Sequence, residues 1–345
     1  MATSDLISIL KKENKMDATL ENRVCTAVLK QLDDTSADVQ AVAIKCIGEL
    51  TGRVQETQLK DICTRLCKAL LDGKDELKDI YSIGLKTAVS SVPDVMGPTV
   101  ANELTPQLIR GIQTDKSESE RVREECLEVM KDLINRFGVE MDNQHESVMG
   151  LILNQLSSKK ISICKRSTAC VGSLAVVLAD SLLNRLMETL LQYIASPRDG
   201  QSVRILIQTV GMISRTVGYR LGTHLVRIIP LFLRYLGDPG EDEDEDQEDE
   251  KVELRENILH AFESFAMRCP QEVSPFRNDL LNTCMKFIEY DPNYNYDDSD
   301  DEEMDDYSDD EYSEGEYSDD DDDTSWKVRR AAVKVVRAFI MSRPE

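Results

Sequence analysis

Nine cysteines, three histidines and 65 carboxylates are the groups in this 345-residue chain that could hold a metal or move a proton. Cys25, Cys46, Cys63, Cys67, Cys126, Cys164, Cys170, Cys269 and Cys284 are scattered. Most fall on the apolar side of a predicted helix, where a reduced thiol behaves as a small hydrophobe. Cys63 and Cys67 lie four apart within one helix, which is not the spacing of a zinc ribbon or finger. His145, His224 and His260 have no Cys or carboxylate partner at ligand spacing. No P-loop, no G-x-G-x-x-G after a strand and no G-x-S-x-G is present. The expectation is a protein that is not an enzyme and uses no metal or cofactor.

Carboxylates are dense only in two tracts, where nothing rigid would hold a pair at a working distance. Residues 241–250 carry 9 acids and residues 297–323 carry 18, with no Lys or Arg in either. The net charge of −24 therefore belongs to these tracts, since the remaining 38 acids face 41 bases. Blocks of like charge with little apolar content read as disordered insert loops, which either solubilise the chain or steer it toward a basic surface. Ser299, Ser308, Ser313 and Ser318 each have an acid three residues on, the pattern preferred by acidophilic kinases of the casein kinase 2 type. They are the phosphorylation candidates, each adding about −1.5 to −2 charges.

The elements that must carry these groups follow from a repeat. Asp38–Leu50 puts Val39, Val42, Ala43, Cys46, Ile47 and Leu50 on one apolar face at helical spacing. Similar helices are anchored at Val39, Ile80, Val122, Ile163, Val203, Leu254 and Val328. A small or apolar residue follows each anchor four positions later: Ala43, Gly84, Cys126, Ser167, Ile207, Ile258 and Ala332. The first five anchors recur at about forty residues, the period of HEAT or armadillo helix pairs. The fold expected is all-α, a HEAT-type α-solenoid running as one body over 1–345, with 241–250 and 297–323 extruded as loops. The two late gaps between anchors are lengthened by about as much as those tracts supply, and long loops close at modest entropic expense.

Predicted hairpins are 17–32 with 38–50, 56–71 with 75–91, 98–112 with 118–137, 143–156 with 160–178, and 180–195 with 200–217. Thr324-Ser325 caps a final helix over Trp326–Ser342. Residues 2–12 read as a second helix whose first is absent, so both ends look cut from a longer solenoid. There is no secretory signal and no apolar run of about 20 residues, so a soluble intracellular protein is expected, cytoplasmic and nuclear.

Arg123, Arg204, Arg255 and Arg329 follow anchors directly, and each is expected to bond an acid of the next repeat. Exposed bases on second helices, namely Lys45, Lys86, Lys131, Arg215 and Lys334, with Trp326, are the candidate partner contacts.

YDPNYNYDD (Tyr290–Asp298), leading through the acidic tract to SWKVRRAA (Ser325–Ala332), closely resembles the cullin-associated, neddylation-dissociated proteins. DIYSIGLKT (Asp79–Thr87), YRLGTHLVRIIPL (Tyr219–Leu231) and AFESFAMRCP (Ala261–Pro270) agree with it. The resemblance covers the whole chain in order and corresponds to the family's N-terminal portion. It implies a regulator of cullin–RING ubiquitin ligases that binds the unneddylated cullin C-terminal domain and the RING subunit. Such a protein hinders neddylation and supports substrate-receptor exchange. The family's C-terminal arm is missing and 241–250 resembles an extra insertion, so the chain is either a fragment or one half of a split protein with a separate C-terminal half. No nucleic acid or membrane partner is implied. A HEAT-repeat nuclear transport receptor, which would need an inner surface with repeated Trp and Asn, and a generic scaffold are the alternatives.

Overall fold

The computed structural model describes residues 2–12, 16–114, 120–197, 202–239, 248–289 and 325–342, and among them every regular element is helical. Packing groups the chain into two compact units, Met1–Thr216 and Val217–Glu345, where the repeat period alone reads as one stack.

The first unit opens with α1 (Ala2–Lys12). Five hairpins follow: α2 (Ala18–Lys30) with α3 (Ala37–Thr51), α4 (Glu56–Asp72) with α5 (Lys78–Ser91), α6 (Gly97–Ile112) with α7 (Glu120–Phe137), α8 (His145–Gln155) with α9 (Ile161–Val177), and α10 (Asp180–Ala195) with α11 (Val203–Val217). Second helices stack in one row, α1 on α3, α3 on α5, α5 on α7 and α7 on α9, while α2, α4, α6 and α8 form the other. The second unit holds α12 (Leu225–Leu236) with α13 (Glu248–Arg268), a one-turn α14 (Pro270–Val273), and α15 (Arg277–Glu289) with α16 (Ser325–Met341). Here α16 packs on both α13 and α15.

The reason for a small or apolar residue four after each anchor is plain in the burial. Ala43, Cys126, Ser167, Ile207, Ile258 and Ala332 are all fully buried. Gly84 is buried too, and a Cβ there would come within 3.4 Å of Leu66. The anchors themselves vary. Val122, Ile163 and Val328 are buried, but Val39, Ile80, Val203 and Leu254 are only half-buried. Dense helix-on-helix packing leaves no room at the crossing point and some slack one turn earlier. In the second unit the crossing is filled by three rings, Phe232, Phe262 and Phe265, with centroids 6.2–6.3 Å apart.

Two details depart from the sequence reading. Helix α13 begins at Glu248, so the last three residues of the tract 241–250 form its first turn, where acids favour the helix N-terminus. The rest of that tract and all of 297–323 lie outside the described residues. The chain also inserts 3-10 turns at Gly138–Gln144 and Gly218–His224. Gly218 (φ 59) and Gly237 (φ 63, closing α12) are left-handed, a conformation only glycine adopts without strain. Among the described residues no helix is long and apolar enough to cross a membrane.

Candidate partner-binding site

The residue after each anchor is the first element of polar order. Gln40 donates to the carbonyls of Leu32 (3.3 Å) and Asp34 (2.7 Å). Arg123 donates to Thr114 O at 2.8 Å. The Cys164 thiol faces Gln155, Leu156 and Ser158 carbonyls at 3.2–3.7 Å. Arg255 reaches Leu236 O at 3.2 Å and Asp238 O at 3.0 Å. These donors close the end of the first helix in their own hairpin, where carbonyls lack partners and the dipole is negative. Arg123 and Arg255, expected to reach an acid of the next repeat, thus also hold carbonyls within their own hairpins. Periodicity marks where such a side chain starts but not which way it turns. Tyr81, in the same position on α5, bonds Asp33 instead, and burial together with that carboxylate pushes its phenol pKa up.

Consecutive hairpins of the first unit are tied by a second set of polar contacts, about one period apart. Arg121 meets Asp79 at 2.5 Å, Lys160 meets Glu120 at 2.8 Å, Arg185 meets Glu146 at 2.6 Å, and Arg136 reaches Val92 O at 2.6 Å. Thr168 and Thr209 share a buried hydrogen bond of 3.0 Å.

The exposed face of the second-helix row is where the candidate contacts fall. Lys45 is exposed on α3 and lines an open cleft of about 490 Å3 with Lys11, Glu49, Arg53, Thr87 and others. Glu49 lies 3.5 Å from both Lys11 and Arg53. Lys86 on α5 and Lys131 on α7, both expected to be exposed, are half-buried, and with Arg166 of α9 their charges act on Glu128 of α7. Lys131 bonds Glu128 at 2.7 Å, and Arg166 sits 3.5–3.8 Å from Glu124, Glu125 and Glu128. Burial opposes ionisation of Glu128, yet the Lys131 bond and the charges of Lys131, Arg166 and Lys86 hold its pKa below the ordinary value. Lys131 is thus occupied within the fold, and Glu128, absent from the sequence-based candidates, is the group that gathers the cations. An acid three residues before a lysine on one helix is the signal that would have found it. Arg215 is exposed in the last turn of α11. In the second unit, Lys334 is half-buried and Trp326 is exposed with Arg330 over its ring at 5.9 Å. Ser299, Ser308, Ser313 and Ser318 lie outside the described residues.

The nine thiols are all free and buried. Burial raises each pKa, to about 11 for Cys25, Cys46 and Cys269 and about 12 for Cys63, Cys67 and Cys284. Such thiols are poor nucleophiles at neutral pH. Among the described residues, no group of three or more His, Cys, Asp or Glu is placed to hold a metal ion.

Comparison with known proteins follows the same architecture. A family model described as importin subunit beta-1-like, TPR repeats, matches residues 105–310. Among solved structures, importin beta in a polyethylene glycol condition covers 99% of this chain and 46% of its own, with a TM-score of 0.54 and 14% identity. Kap121p bound to RanGTP gives 0.58 and 13% identity, over 85% of this chain and 31% of its own. At such identities the likeness is one of fold, and it shows the all-α HEAT-type solenoid. In sequence, a "Cullin-associated NEDD8-dissociated protein 1" from Arabidopsis thaliana is 40% identical over the whole chain. A "Cullin-associated NEDD8-dissociated protein 2" from Mus musculus is 39% identical over the same span. This chain spans about 28% of the length of either relative. In Emericella nidulans an N-terminal part of such a protein is 25% identical over 69% of this chain and 79% of its own length. A C-terminal part from that organism is 35% identical over 28% of this chain and 11% of its own.

Proposed function

The chain belongs to the cullin-associated NEDD8-dissociated protein family, and from that premise we propose that it regulates cullin–RING ubiquitin ligases by binding, without chemistry of its own. In this reading it grips the unneddylated cullin C-terminal domain and the RING subunit, hinders neddylation and supports exchange of substrate receptors. It acts in cytoplasm and nucleus together with a separate C-terminal half. The observation that carries it is 36–40% identity over the entire chain to several proteins named for cullin association. The occurrence of N-terminal and C-terminal parts as separate relatives supports the two-polypeptide form.

The second-helix face of the first unit, with Lys45 on α3 and Lys86 on α5, supplies the contacts. Cations on successive helices steer an acidic partner and fix its register more than they add raw affinity. The deciding experiment compares binding of this chain to a cullin–RING complex before and after neddylation. Tight binding to the unmodified complex, weakened by about tenfold or more in Lys45→Glu with Lys86→Glu, is the expected result. Equal affinity for both forms of the cullin would sink the proposal. The likeness to importin beta and Kap121p supports a shared architecture and no transport role.

A further inference from the structure

The outward face of α12 is unlike that of the other first helices. Aligned on their buried residues, these helices share one solvent-facing position, held by Asn22, Lys60, Asn102, Glu146, Asn184 and Asn278. In α12 the same position is Val226, 62% exposed. Exposed Arg227, Pro230 and Arg234 and half-buried Leu233 continue the face at helical spacing. Each other first helix contains at least one acid, whereas LVRIIPLFLRYL has two arginines and no acid. Among the described residues, Arg227 meets no carboxylate, and Arg234 lies only over the Tyr235 ring at 5.4 Å. Exposed apolar side chains rimmed by charge mark interaction surfaces.

The second acidic tract leaves the fold beside this helix. Lys286, in the last turn of α15, pairs at 2.6 Å with Asp238, just past the end of α12. Arg255 lies over Phe287 at 5.4 Å while bonding the carbonyls of Leu236 and Asp238. The C-terminal ends of α12 and α15 are therefore side by side, and the chain joining α15 to α16 starts there. Arg227 lies about 16 Å back from Asp238 along the helix. Residues 240–247, fixed by α12 at one end and α13 at the other, reach about 14 Å out and back and fall short of it. Residues 290–324 reach about 60 Å and pass it.

Composition agrees with reach. Residues 307–321 read YSDDE, YSEGE and YSDDD, a tyrosine followed by carboxylates three times over. Phenol rings suit Val226, Pro230 and the flat faces of guanidinium groups, and carboxylates suit the guanidinium N–H groups.

We propose that the outward face of α12 is a docking surface for the chain's own tract 297–323. Its tyrosines cover Val226 and Pro230, and its carboxylates pair with Arg227 and Arg234. Tethering at both ends gives the tract an effective concentration of about millimolar at this face, so weak individual contacts suffice. The polyanion is then held on the first-helix side of the second unit and kept from the five bases of α16. The second-helix side, with Lys334 and Trp326, stays open to a partner. The docking is independent of cullin binding.

Two measurements on the full chain test it. A Glu-specific endoprotease can cut the tract after Glu302, Glu303, Glu311, Glu314 and Glu316. Cleavage there is expected to be about tenfold faster in Arg227→Glu with Arg234→Glu than in the parent chain at low salt. The two rates should converge at about 1 M salt, where charges are screened beyond about 3 Å. Both substitutions are at exposed positions, and unchanged helical circular dichroism checks the fold. Equal rates at low salt overturn the proposal. In the second measurement, Arg227→Lys and Arg234→Lys let a carbodiimide join each position to a carboxylate. Cross-links to 297–323 within one molecule are expected. They should exceed by about tenfold those from the tract to Lys68, an exposed lysine of α4 at the register of Arg234. Cross-links chiefly to 241–250, from the tract to Lys327 or Lys334 of α16, or between isotopically distinct molecules overturn it.

Discussion

Arg123 in the first unit and Arg255 in the second hold the same kind of carbonyl from different distances along the chain. Arg123 reaches back nine residues to Thr114, and Arg255 reaches back seventeen to Asp238, each carbonyl two residues past the end of the first helix. The longer reach spans the acidic tract 241–250, whose last three residues already belong to α13. A hairpin can therefore absorb a charged insertion between its two helices and still close its first helix with the same guanidinium. The two units also differ in their sulfur. Seven of the nine buried thiols, from Cys25 to Cys170, are in the first unit, while Cys269 and Cys284 alone are in the second.

That asymmetry gives the largest effect. Buried thiols with folded pKa values of about 11–12 keep protons that the unfolded chain loses near pH 8.5. Their stabilisation is complete below that pH and falls as pH rises toward the folded values, by up to about 1.4 kcal/mol per pH unit for each thiol. Circular dichroism across pH 8–11, with proteolysis to tell the units apart, should show 2–216 opening first. Simultaneous opening breaks the comparison.

Charge at the helix crossing comes next. Ile207→Asp in the first unit and Ile258→Asp in the second should each cost about 3–5 kcal/mol, since both side chains are fully buried. Val203→Asp, at the half-buried start of α11, should cost under about 1 kcal/mol. Urea titration of the three variants measures the ranking, and equal losses would refute the burial pattern.

Smaller again are the carbonyl-binding arginines. Arg123→Ala and Arg255→Ala should each remove about 1–2 kcal/mol, read from thermal melts. Removal of residues 241–247 should change stability least, by about 0.6 kcal/mol or less, and should leave the Arg255→Ala penalty intact. If that deletion erases the penalty, the equivalence of the two hairpins fails.

Much of this was legible in the amino acids. The period placed second helices to within a few residues, because crossing points that recur every forty residues demand small or apolar side chains at Ala43, Cys126 or Ala332. The backbone partners were not legible. Arg123 and Arg255 read as charges awaiting acids, and the carbonyls they hold come from backbone geometry that composition does not encode. The 3-10 turns at 138–144 and 218–224 begin where the predicted helices stop, at 137 and 217, and a single turn between helices leaves no periodic signal to read. Lys131 looked like a free cation until the rotation of α7 placed it on Glu128. On α16, Trp326 was singled out from sequence, and the structure places it exposed with Arg330 over its ring.

The distribution of sulfur has one more consequence. Because α2, α3, α4, α7, α9 and α15 each carry a shielded sulfhydryl, the chain holds its own series of clocks. The order in which an alkylating reagent reaches them would give the sequence in which the hairpins breathe, with no label introduced.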